Sequence, residues 1–462
     1  MPLHDKEIYR LLNNNLSSTL LLIVIALLLI LELSRSKGIL KLWFSRSKKS
    51  KEPKPRVMKP RSEKDCPHCQ QAIISGKPHT LQCTHLPIPW GQRKGKGGRK
   101  KIIPTCHQFC SNPNCEYYLI TDENVHALVG YGSHGKYEHI QDLFCQACKK
   151  KFTIRRHTIL YRLKTHSKTV RLALTLLALG MDLSSLEEAI EIRECTLRVW
   201  LTRSGDQGRK LHERFFTMLD MAHIQLDELW AKVKHAQQDV WLWVACDAKT
   251  KIVPVIQLGP RTQDMAYSVV HELKSRLKPN CVPVFSSDGL KHYFYALTAH
   301  FGEWLIPEGC NKPCWLILPD FLYAQVVKQR KRFRLVDVDQ RIIWGDPGEY
   351  LSRLKAVGLS GNINTAFVER INLTIRQSVA KLTRRTWGTA QFTPELADHL
   401  YWWLAYYHFA RAHESLRVKL AKPIERNGKQ RPRLYQKMTP ATAAGLTSLR
   451  WSVMDLISYP LP

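Results

Sequence analysis

The segment from Met221 to Gly259, MAHIQLDELWAKVKHAQQDVWLWVACDAKTKIVPVIQLG, predicts three consecutive strands at the centre of an α/β domain. Apolar, β-branched and aromatic residues dominate the ranges 224–233, 240–246 and 252–258. Nearly continuous apolar runs of this length are typical of strands that are buried on both faces of a sheet. We therefore expect the remaining elements of this domain to pack around these three strands.

A carboxylate pair interrupts the first of these strands. Asp227 and Glu228 are adjacent there, where a charge is unfavourable unless it is paired or metal-bound. The hypothesis is that Asp227 faces a metal and that Glu228, which points to the opposite face, stays outside the site. A second carboxylate, Asp288, follows a short predicted strand at 282–285, at the strand end where ligands of open α/β sheets gather.

A helix predicted over 365–382 supplies a third carboxylate. Its apolar residues recur at spacings of four, four, four and three, which makes one stripe: Phe367, Ile371, Ile375, Val379 and Leu382. Glu369 lies on the polar face with Asn372 and Arg376, so docking of the stripe on the sheet turns Glu369 toward the two aspartates. Three carboxylates in one cleft repel each other, and two hard divalent cations relieve that repulsion.

Three sequence words carry a family resemblance. The order Asp227 in LDELW, Asp288 in SSDGL and Glu369 in FVERINLTIR resembles the DDE transposases of bacterial insertion sequences. The similarity extends to YYHFARAHESL at 406–416 and TPATAAGLT at 439–447, and it covers roughly residues 66–447. It implies a ribonuclease-H-like catalytic domain whose Asp, Asp and Glu hold two Mg²⁺ or Mn²⁺ ions. The alternative is an α/β domain with three unrelated surface carboxylates.

The charge of the chain indicates a polyanionic partner. Lys+Arg 70 against Asp+Glu 39 gives a formal net charge of +31 over 462 residues, which is far more than solubility requires. Such an excess favours binding to nucleic acid or to an anionic membrane surface. The resemblance implies DNA, namely the terminal inverted repeats of an element and a target, bound by a homo-oligomer.

The cysteines predict zinc sites. Eight of the 13 cysteines lie between Cys66 and Cys148, a pattern that indicates zinc ligation in a reducing compartment. A zinc ribbon is predicted from a C-x4-C and a C-x2-C pair separated by 29 residues: Cys110, Cys115, Cys145 and Cys148. A second site would use Cys66 and Cys69 and, by preference, Cys83 and His85; the alternative second half is Cys106 with His107.

The range 164–203 predicts a helix-turn-helix domain. The first helix ends at Gly180, and Ser184 with Glu187 predicts a capping box for the second. The third helix presents four candidate DNA contacts on its polar side: Thr196, Arg198, Thr202 and Arg203. Packing of three helices without a DNA role is the alternative. Basic residues near Glu369 are further candidates for holding phosphates: Arg370, Arg376, Lys381, Arg384 and Arg385.

The N-terminal region contains an apolar segment, Leu16 to Leu33, LSSTLLLIVIALLLILEL. It is at the short end of what spans a bilayer. Because Lys and Arg follow it densely, an inserted segment would keep the rest of the chain in the cytoplasm, with the DNA. The prediction is a single membrane anchor rather than a cleaved signal peptide, since no small-residue cleavage site follows. The alternative is an appended N-terminal extension.

The sequence thus predicts an ordered series of regions. They are an N-terminal segment at 1–44, a basic Pro/Ser linker at 45–64, a zinc-binding module at 65–160, a helix-turn-helix domain at 161–210, a catalytic domain at 221–415 and a tail at 416–462. The expected function is DNA strand cleavage and strand transfer by a transposase. The alternatives are a domesticated DNA-binding regulator with an idle catalytic domain and a metal-dependent nuclease.

Overall fold

The computed structural model describes residues 90, 105, 107–306, 311–332, 334–359, 362–384, 388–424 and 432–461, all within the unit Ser62–Pro462. Predictions on the apolar segment at 16–33, the linker at 45–64 and residue Arg385 lie outside these ranges. The second zinc site also lies outside them: Cys66, Cys69, Cys83 and His85. None of the helices in the described ranges has the length and apolar content that a bilayer crossing requires.

The first described region is a small antiparallel sheet. Its strands follow the order β1, Leu128–His134, then β2, Ile140–Cys145, then β3, Lys151–Thr153. The loop that precedes the sheet packs Tyr117, Ile120 and Val125 against it, together with cysteines of both predicted pairs. This core is small, so cross-linking through a metal would add substantially to its stability.

Three helices follow, as predicted. They are α1, Ser167–Ala178, α2, Leu183–Ile190, and α3, Glu194–Phe215. Gly180 follows the end of α1 with a φ of +101°, as expected of a glycine after a helix. The predicted capping box of α2 was wrong. Asp182 is the N-cap and accepts a hydrogen bond from the Ser185 N–H at 2.9 Å, because a carboxylate one turn earlier reaches that orphan donor.

The central sheet contains six strands in a mixed arrangement. In chain order the ranges are β4, His223–Ala231; β5, Val240–Asp247; β6, Val255–Gly259; α4, Gln263–Arg276; β7, Val284–Ser287; α5, Lys291–His300; β8, Gly302–Leu305; β9, Cys314–Ile317; β10, Leu322–Lys331; and β11, Arg334–Trp344. The sheet order is β11-β10-β7-β4-β5-β6, and β8 with β9 forms a separate hairpin. β4 is parallel to β7, and β7 to β10, whereas β5 and β11 run antiparallel to their neighbours.

The three predicted strands are confirmed, with one shifted start. The third begins at Val255 rather than at 252, because the Val253 N–H donates to Nε2 of His408 at 2.9 Å instead of to a neighbouring strand. Basic residues are frequent where β10 of the central sheet turns into the edge strand β11, among them Lys328, Lys331, Arg332 and Arg334.

The remaining elements complete the domain and the tail. They are α6, Pro347–Ala356; α7, Ala366–Ser378; a 3₁₀ turn, Ala380–Leu382; α8, Thr393–Ala405, continued by a π turn, Tyr406–Ala410; β12, Arg417–Ile424; β13, Arg433–Lys437; α9, Pro440–Ala443; and α10, Val453–Ser458. The helix predicted over 365–382 therefore ends earlier, at Ser378, because Val379 has an extended backbone. Its apolar stripe is nonetheless buried at Ile371, Ile375, Val379 and Leu382.

Helices cover both faces of the central sheet. On one face, Leu226 and Trp243 pack with Val269 of α4 and Tyr293 of α5. On the other face, Leu242 and Val244 pack with residues of α7 and α8 that share an apolar side: Ile371, Ile375, Leu400 and Trp403. The region at 221–415 is thus a layered α/β domain, as the sequence predicts.

Helix α3 packs closely on α8 of this domain. A Cβ on Gly205 would lie 2.4 Å from Asp398 Cα, and one on Gly208 would lie 2.3 Å from the Tyr401 carbonyl oxygen. Such a close approach is possible only because glycine has no side chain. The three-helix region is therefore joined to the α/β domain by a tight helix pair.

Candidate active site and metal centres

The two aspartates meet because of strand register. Leu226 of β4 pairs with Ser287 of β7, and Asp227 and Asp288 are the next residues along these parallel strands. Their carboxylate oxygens lie within 4.8 Å of each other and of a Glu228 oxygen. Asp227, inside β4, and Asp288, directly after the carboxyl end of β7, therefore lie close together, as predicted.

Asp227 is held in place by two hydrogen bonds. Its Oδ1 accepts from the Glu228 N–H at 2.9 Å, and its Oδ2 accepts from Nδ2 of Asn372 on α7 at 2.8 Å. Burial and the negative charges of Asp288 and Glu228 raise the pKa of Asp227 from 3.8 to about 7. A nearby cation would offset these effects and would lower the pKa of Asp227 again.

Asp288 is the more open of the two aspartates. Its Oδ1 accepts a hydrogen bond from the Leu290 N–H at 3.1 Å, and its side chain is 38% exposed. Burial raises its pKa above the ordinary value, and the charge of Glu369 acts in the same direction. Both aspartates thus sense Glu369 electrostatically.

The expectation that Glu228 stays outside the site was wrong. Its side chain does lie on the opposite face of the sheet from Asp227, where Oε2 accepts a hydrogen bond from the Tyr293 hydroxyl at 3.1 Å. However, β7 ends at Ser287, the partner of Leu226, so no residue of β7 lies beside Glu228. The Glu228 carboxylate can therefore approach Asp288, which follows the end of β7, and it lies close to both aspartates. The group formed by Asp227, Glu228 and Asp288, which we call the acid cluster, can bind a divalent cation such as Mg²⁺.

Glu369 lies beside the acid cluster but is not part of its tightest group. It lines the same cleft as Asp227, on the first turn of α7, and it forms an ion pair with Lys328 of β10. The Thr365 hydroxyl also donates to it, at 2.5 Å. Glu369 therefore faces the same cleft as Asp227, as predicted, but its carboxylate is paired with the Lys328 ammonium group.

The cleft between β4 and α7 has a volume of about 850 Å³. Trp230 and Trp241 line it on the sheet side, and two of the predicted phosphate-binding residues, Arg376 and Arg384, line it on the helix side. Arg370 is exposed on α7. Lys381, in contrast, forms an ion pair with Glu395 of α8, with Nζ 3.1 Å from Oε2.

Four cysteines form a second candidate metal centre. The sulfurs of Cys110 and Cys148 lie 3.6 Å apart, and those of Cys115 and Cys145 lie 3.8 Å apart. A tetrahedron of sulfurs at about 2.3 Å from a zinc ion has edges of about 3.8 Å, so this spacing fits Zn²⁺. We call these residues the four-cysteine cluster; it is largely buried, and it can bind zinc.

The thiols of this cluster do not share one protonation behaviour. Burial raises the pKa of Cys115 to about 12, whereas the hydrogen bond from Cys110 lowers the pKa of Cys145 to about 5. Without a cation the buried sulfurs therefore favour one thiolate that neighbouring thiols stabilise. Zinc would replace those protons, because only thiolates ligate it.

Two of the four candidate recognition residues of α3 contact α8. Arg198 forms an ion pair with Glu395, with Nη1 2.8 Å from Oε1, and another with Glu194. The Thr202 side chain forms a hydrogen bond with Asp398. Arg203 donates to the Tyr161 carbonyl at 2.9 Å, and Thr196 is half-buried. DNA contacts by these residues stay a prediction.

Sequence reasoning missed two cations at the acid cluster, Arg261 and Lys328. Arg261 follows β6 and binds Glu228, with Nε 2.8 Å from Oε1. The sequence did contain a signal for Arg261. In an antiparallel series β4-β5-β6, the third strand ends on the same side of the sheet as the first, so residues that follow β6 lie near the end of β4. Lys328 lies within a basic run, in which no local pattern distinguishes one member.

Comparisons with known proteins add no family assignment. No protein-family model and no curated protein matches the chain.

Proposed function

We propose that this protein is a DDE-type DNA transposase, which cleaves DNA strands and transfers them in a metal-dependent reaction. The observation that carries the proposal is the convergence of Asp227, inside β4, with Asp288, which directly follows the parallel strand β7, and with Glu369 in the adjoining cleft. These are the three acids that the resemblance selects, and they come from segments up to 142 residues apart in the chain.

The sheet supports the proposal. Its strands β6, β5, β4, β7 and β10 are neighbours in that order, and β5 runs opposite to the other four. This arrangement is compatible with the ribonuclease-H-like domain that the resemblance implies. Asp288 follows the carboxyl end of β7, next to Asp227 on the neighbouring strand β4, so the active site would lie beside this strand end.

The donor set suits hard divalent cations. Carboxylate oxygens are the ligands that Mg²⁺ and Mn²⁺ prefer. Burial, with a smaller contribution from neighbouring carboxylates, raises the pKa values of Asp227 and Asp288, and a bound cation would favour their ionised forms. Asp227, Asp288 and Glu369 would hold the ions. Bound there, two such ions would activate an attacking water or 3′-hydroxyl and stabilise the leaving 3′-oxygen.

Residues around the acids would keep them in position. Asn372 fixes one oxygen of Asp227 and thereby ties β4 to α7, the helix that carries Glu369. The Leu290 N–H fixes one oxygen of Asp288. Lys328 holds Glu369 by an ion pair that a stronger cation would replace. Trp230 and Trp241 on the wall of the cleft would limit the access of water to the reacting phosphate.

DNA binding is supported by charge. The net charge of +31 suits a polyanion, and Arg376 and Arg384 line the cleft beside the acids. The four-cysteine cluster would stabilise a zinc ribbon as an N-terminal recognition module, together with the helices α1–α3. Contacts with phosphates position a protein on DNA whatever the sequence, so cleft residues would serve both element ends and target.

The test is cleavage of a duplex that carries the DNA flanking the gene, in Mg²⁺ or Mn²⁺. Asp227→Asn, Asp288→Asn and Glu369→Gln should each lower the cleavage rate by more than about 100-fold, since even outer partners of metal ligands are typically worth 10–100-fold. Asn372→Ala, which removes such an outer partner, should cost about 10–100-fold.

Binding of the same duplex without divalent metal should survive in all four variants. Asp220→Asn is the matched control, because its carboxylate is exposed and pairs with Lys278 away from the acid cluster. Full cleavage by any variant of the three acids would remove that residue from the proposed site.

A further inference from the structure

Arg261, in the segment between β6 and α4, lies directly beside the acid cluster. Arg261 donates from Nε to Oε1 of Glu228 at 2.8 Å, and its Nη2 binds the same oxygen. Nη2 also lies 4.0 Å from Oδ2 of Asp288. The guanidinium therefore spans a buried carboxylate, whose side chain is 2% exposed, and a carboxylate that is open to solvent.

The orientation of Arg261 is fixed from two sides. The ring of Trp241 lies under the guanidinium, with 4.9 Å between the Cζ atom and the ring centroid. Glu228 is itself held by the hydroxyl of Tyr293, a fully buried residue of α5. A planar guanidinium that is stacked on a ring and bound along one edge keeps its other edge in a defined direction.

That other edge is available to a ligand. Arginine has five N–H donors, and the ion pair with Glu228 occupies those of Nε and Nη2. Among the described residues none accepts a hydrogen bond from Nη1, and the side chain is 40% exposed. Arg261 thus presents donors to solvent directly beside Asp288.

We propose that Arg261 is a catalytic residue that binds an oxygen of the DNA phosphate at the acid cluster, and that Glu228 is a positioning residue that orients it. This inference rests on the proposed function and assigns two residues outside the Asp, Asp and Glu set. Glu228 would act from the buried face of the sheet, as the partner of Arg261 and Tyr293.

A charge count favours this division of roles. Because Glu228 is neutralised by Arg261, the metal-binding acids are Asp227, Asp288 and Glu369, with three negative charges. Two divalent cations bring four positive charges, so the loaded site carries net positive charge even before Lys328 is counted, which favours the binding of an anionic phosphodiester. The fork of a guanidinium also matches the geometry of phosphate oxygens better than an ammonium group does.

The rival assignment makes Glu228 a metal ligand, since its carboxylate lies within 4.8 Å of those of Asp227 and Asp288. The two assignments differ in a measurement that needs no DNA. Loss of a ligand should lower Mn²⁺ affinity as much as loss of Asp227 does, whereas loss of a carboxylate that is neutralised by Arg261 should lower it much less. Calorimetric titration of the full-length chain with Mn²⁺ alone would therefore separate them.

The experiment combines that titration with binding of a fluorescent duplex of arbitrary sequence, measured with and without Mn²⁺. The zinc-binding module and helices α1–α3 would contribute to DNA affinity with and without Mn²⁺. The increase in DNA affinity on adding Mn²⁺, which we call the gain, therefore measures binding at the acid cluster. Arg261→Gln should lower this gain by about 10–100-fold, the usual weight of a hydrogen bond to a charged group, without lowering Mn²⁺ affinity. Arg261→Lys, which keeps the charge but loses the fork, should fall between.

Glu228→Gln should reduce the gain less than Arg261→Gln does, and it should lower Mn²⁺ affinity much less than Asp227→Asn does. Arg341→Gln, which removes an arginine paired with Asp339 on β11, is the matched control and should keep the full gain. A full gain in Arg261→Gln would overturn the proposal. So would a loss of Mn²⁺ affinity in Glu228→Gln that equals the loss in Asp227→Asn.

The failure of the proposed function would look different. In that case the wild-type chain would show no Mn²⁺ binding that Asp227→Asn removes, whatever Arg261 does. Thermal unfolding of each variant checks folding, and Arg261→Lys provides a second variant at the same position should Arg261→Gln unfold.

Discussion

The four-cysteine cluster and the acid cluster are two candidate metal centres of opposite design. The cysteines come from one module between residues 110 and 148, they are largely buried, and their sulfurs already have the spacing that zinc requires. The acids come from distant segments at the edge of a sheet and open onto a cleft of about 850 Å³. Closed sites of the first kind stabilise a fold, whereas open sites of the second kind leave room for a substrate.

The two centres also manage their charge differently. Without a metal, the four sulfurs can share a single thiolate that hydrogen bonds from the neighbouring thiols stabilise. The acids are instead balanced by neighbouring cations, Arg261 at Glu228 and Lys328 at Glu369, and by protonation of Asp227 near neutral pH. Metal loading should therefore affect folding at the first centre and local charge at the second.

The largest effect is expected at the four-cysteine cluster. Cys145→Ala should abolish zinc binding there and unfold the surrounding module, since structural zinc typically contributes about 10–16 kcal/mol to such small domains. Elemental analysis should find tightly held zinc in the reduced wild-type protein and less in the variant, and limited proteolysis should cut within residues 107–153. Cys195→Ala, at an exposed cysteine outside the cluster, is the control. Zinc-free wild-type protein would end this half of the comparison.

An intermediate effect is expected at Asp227 in protein without divalent cations. Its pKa rises from 3.8 unfolded to about 7 folded, so between these values the folded state keeps a proton that the unfolded chain has released. The free energy of unfolding should therefore fall as pH rises through this window, by about 4 kcal/mol in total. Asp227→Asn should flatten that part of the profile, measured by chemical denaturation followed by tryptophan fluorescence.

Mg²⁺ at pH 8 should restore the lost stability in the wild-type protein and have little effect on Asp227→Asn. Asp220→Asn should keep the wild-type profile, because its carboxylate is exposed. Parallel profiles for the wild-type protein and Asp227→Asn would show that the pKa of Asp227 is not raised in the folded protein.

The smallest effect is expected at Lys328. Its ion pair with Glu369 joins two side chains that are 33% and 42% exposed, and pairs of this kind are worth at most about 1 kcal/mol. Lys328→Met should therefore free Glu369 and raise Mn²⁺ affinity by up to about fivefold in calorimetric titration. Lys437→Met, which breaks the exposed pair with Glu414, is the control. An unchanged affinity would argue that Glu369 does not ligate metal.

Local pattern was sufficient for most of the elements that build the sites. The apolar runs around Asp227 predicted β4, β5 and β6 within a few residues, and the stripe from Phe367 to Leu382 predicted the buried face of α7. Local pattern failed at the cap of α2 and at the start of β6. In both cases a group outside the local motif, the Asp182 carboxylate or the His408 ring, took the hydrogen bond that the motif would have used.

The sequence by itself determined which residues are candidates for the chemistry: the four cysteines in two short pairs, and Asp227, Asp288 and Glu369 within or next to predictable elements. It could do so because spacing within a knuckle, strand or helix is set by local backbone geometry. Only the tertiary structure decided that Glu228 joins the aspartates, that Arg261 and Lys328 balance the acids, and that Arg198 and Lys381 share Glu395. The physical reason is that these pairings depend on which strand ends first and which helix packs beside it, and no local period of the chain encodes either.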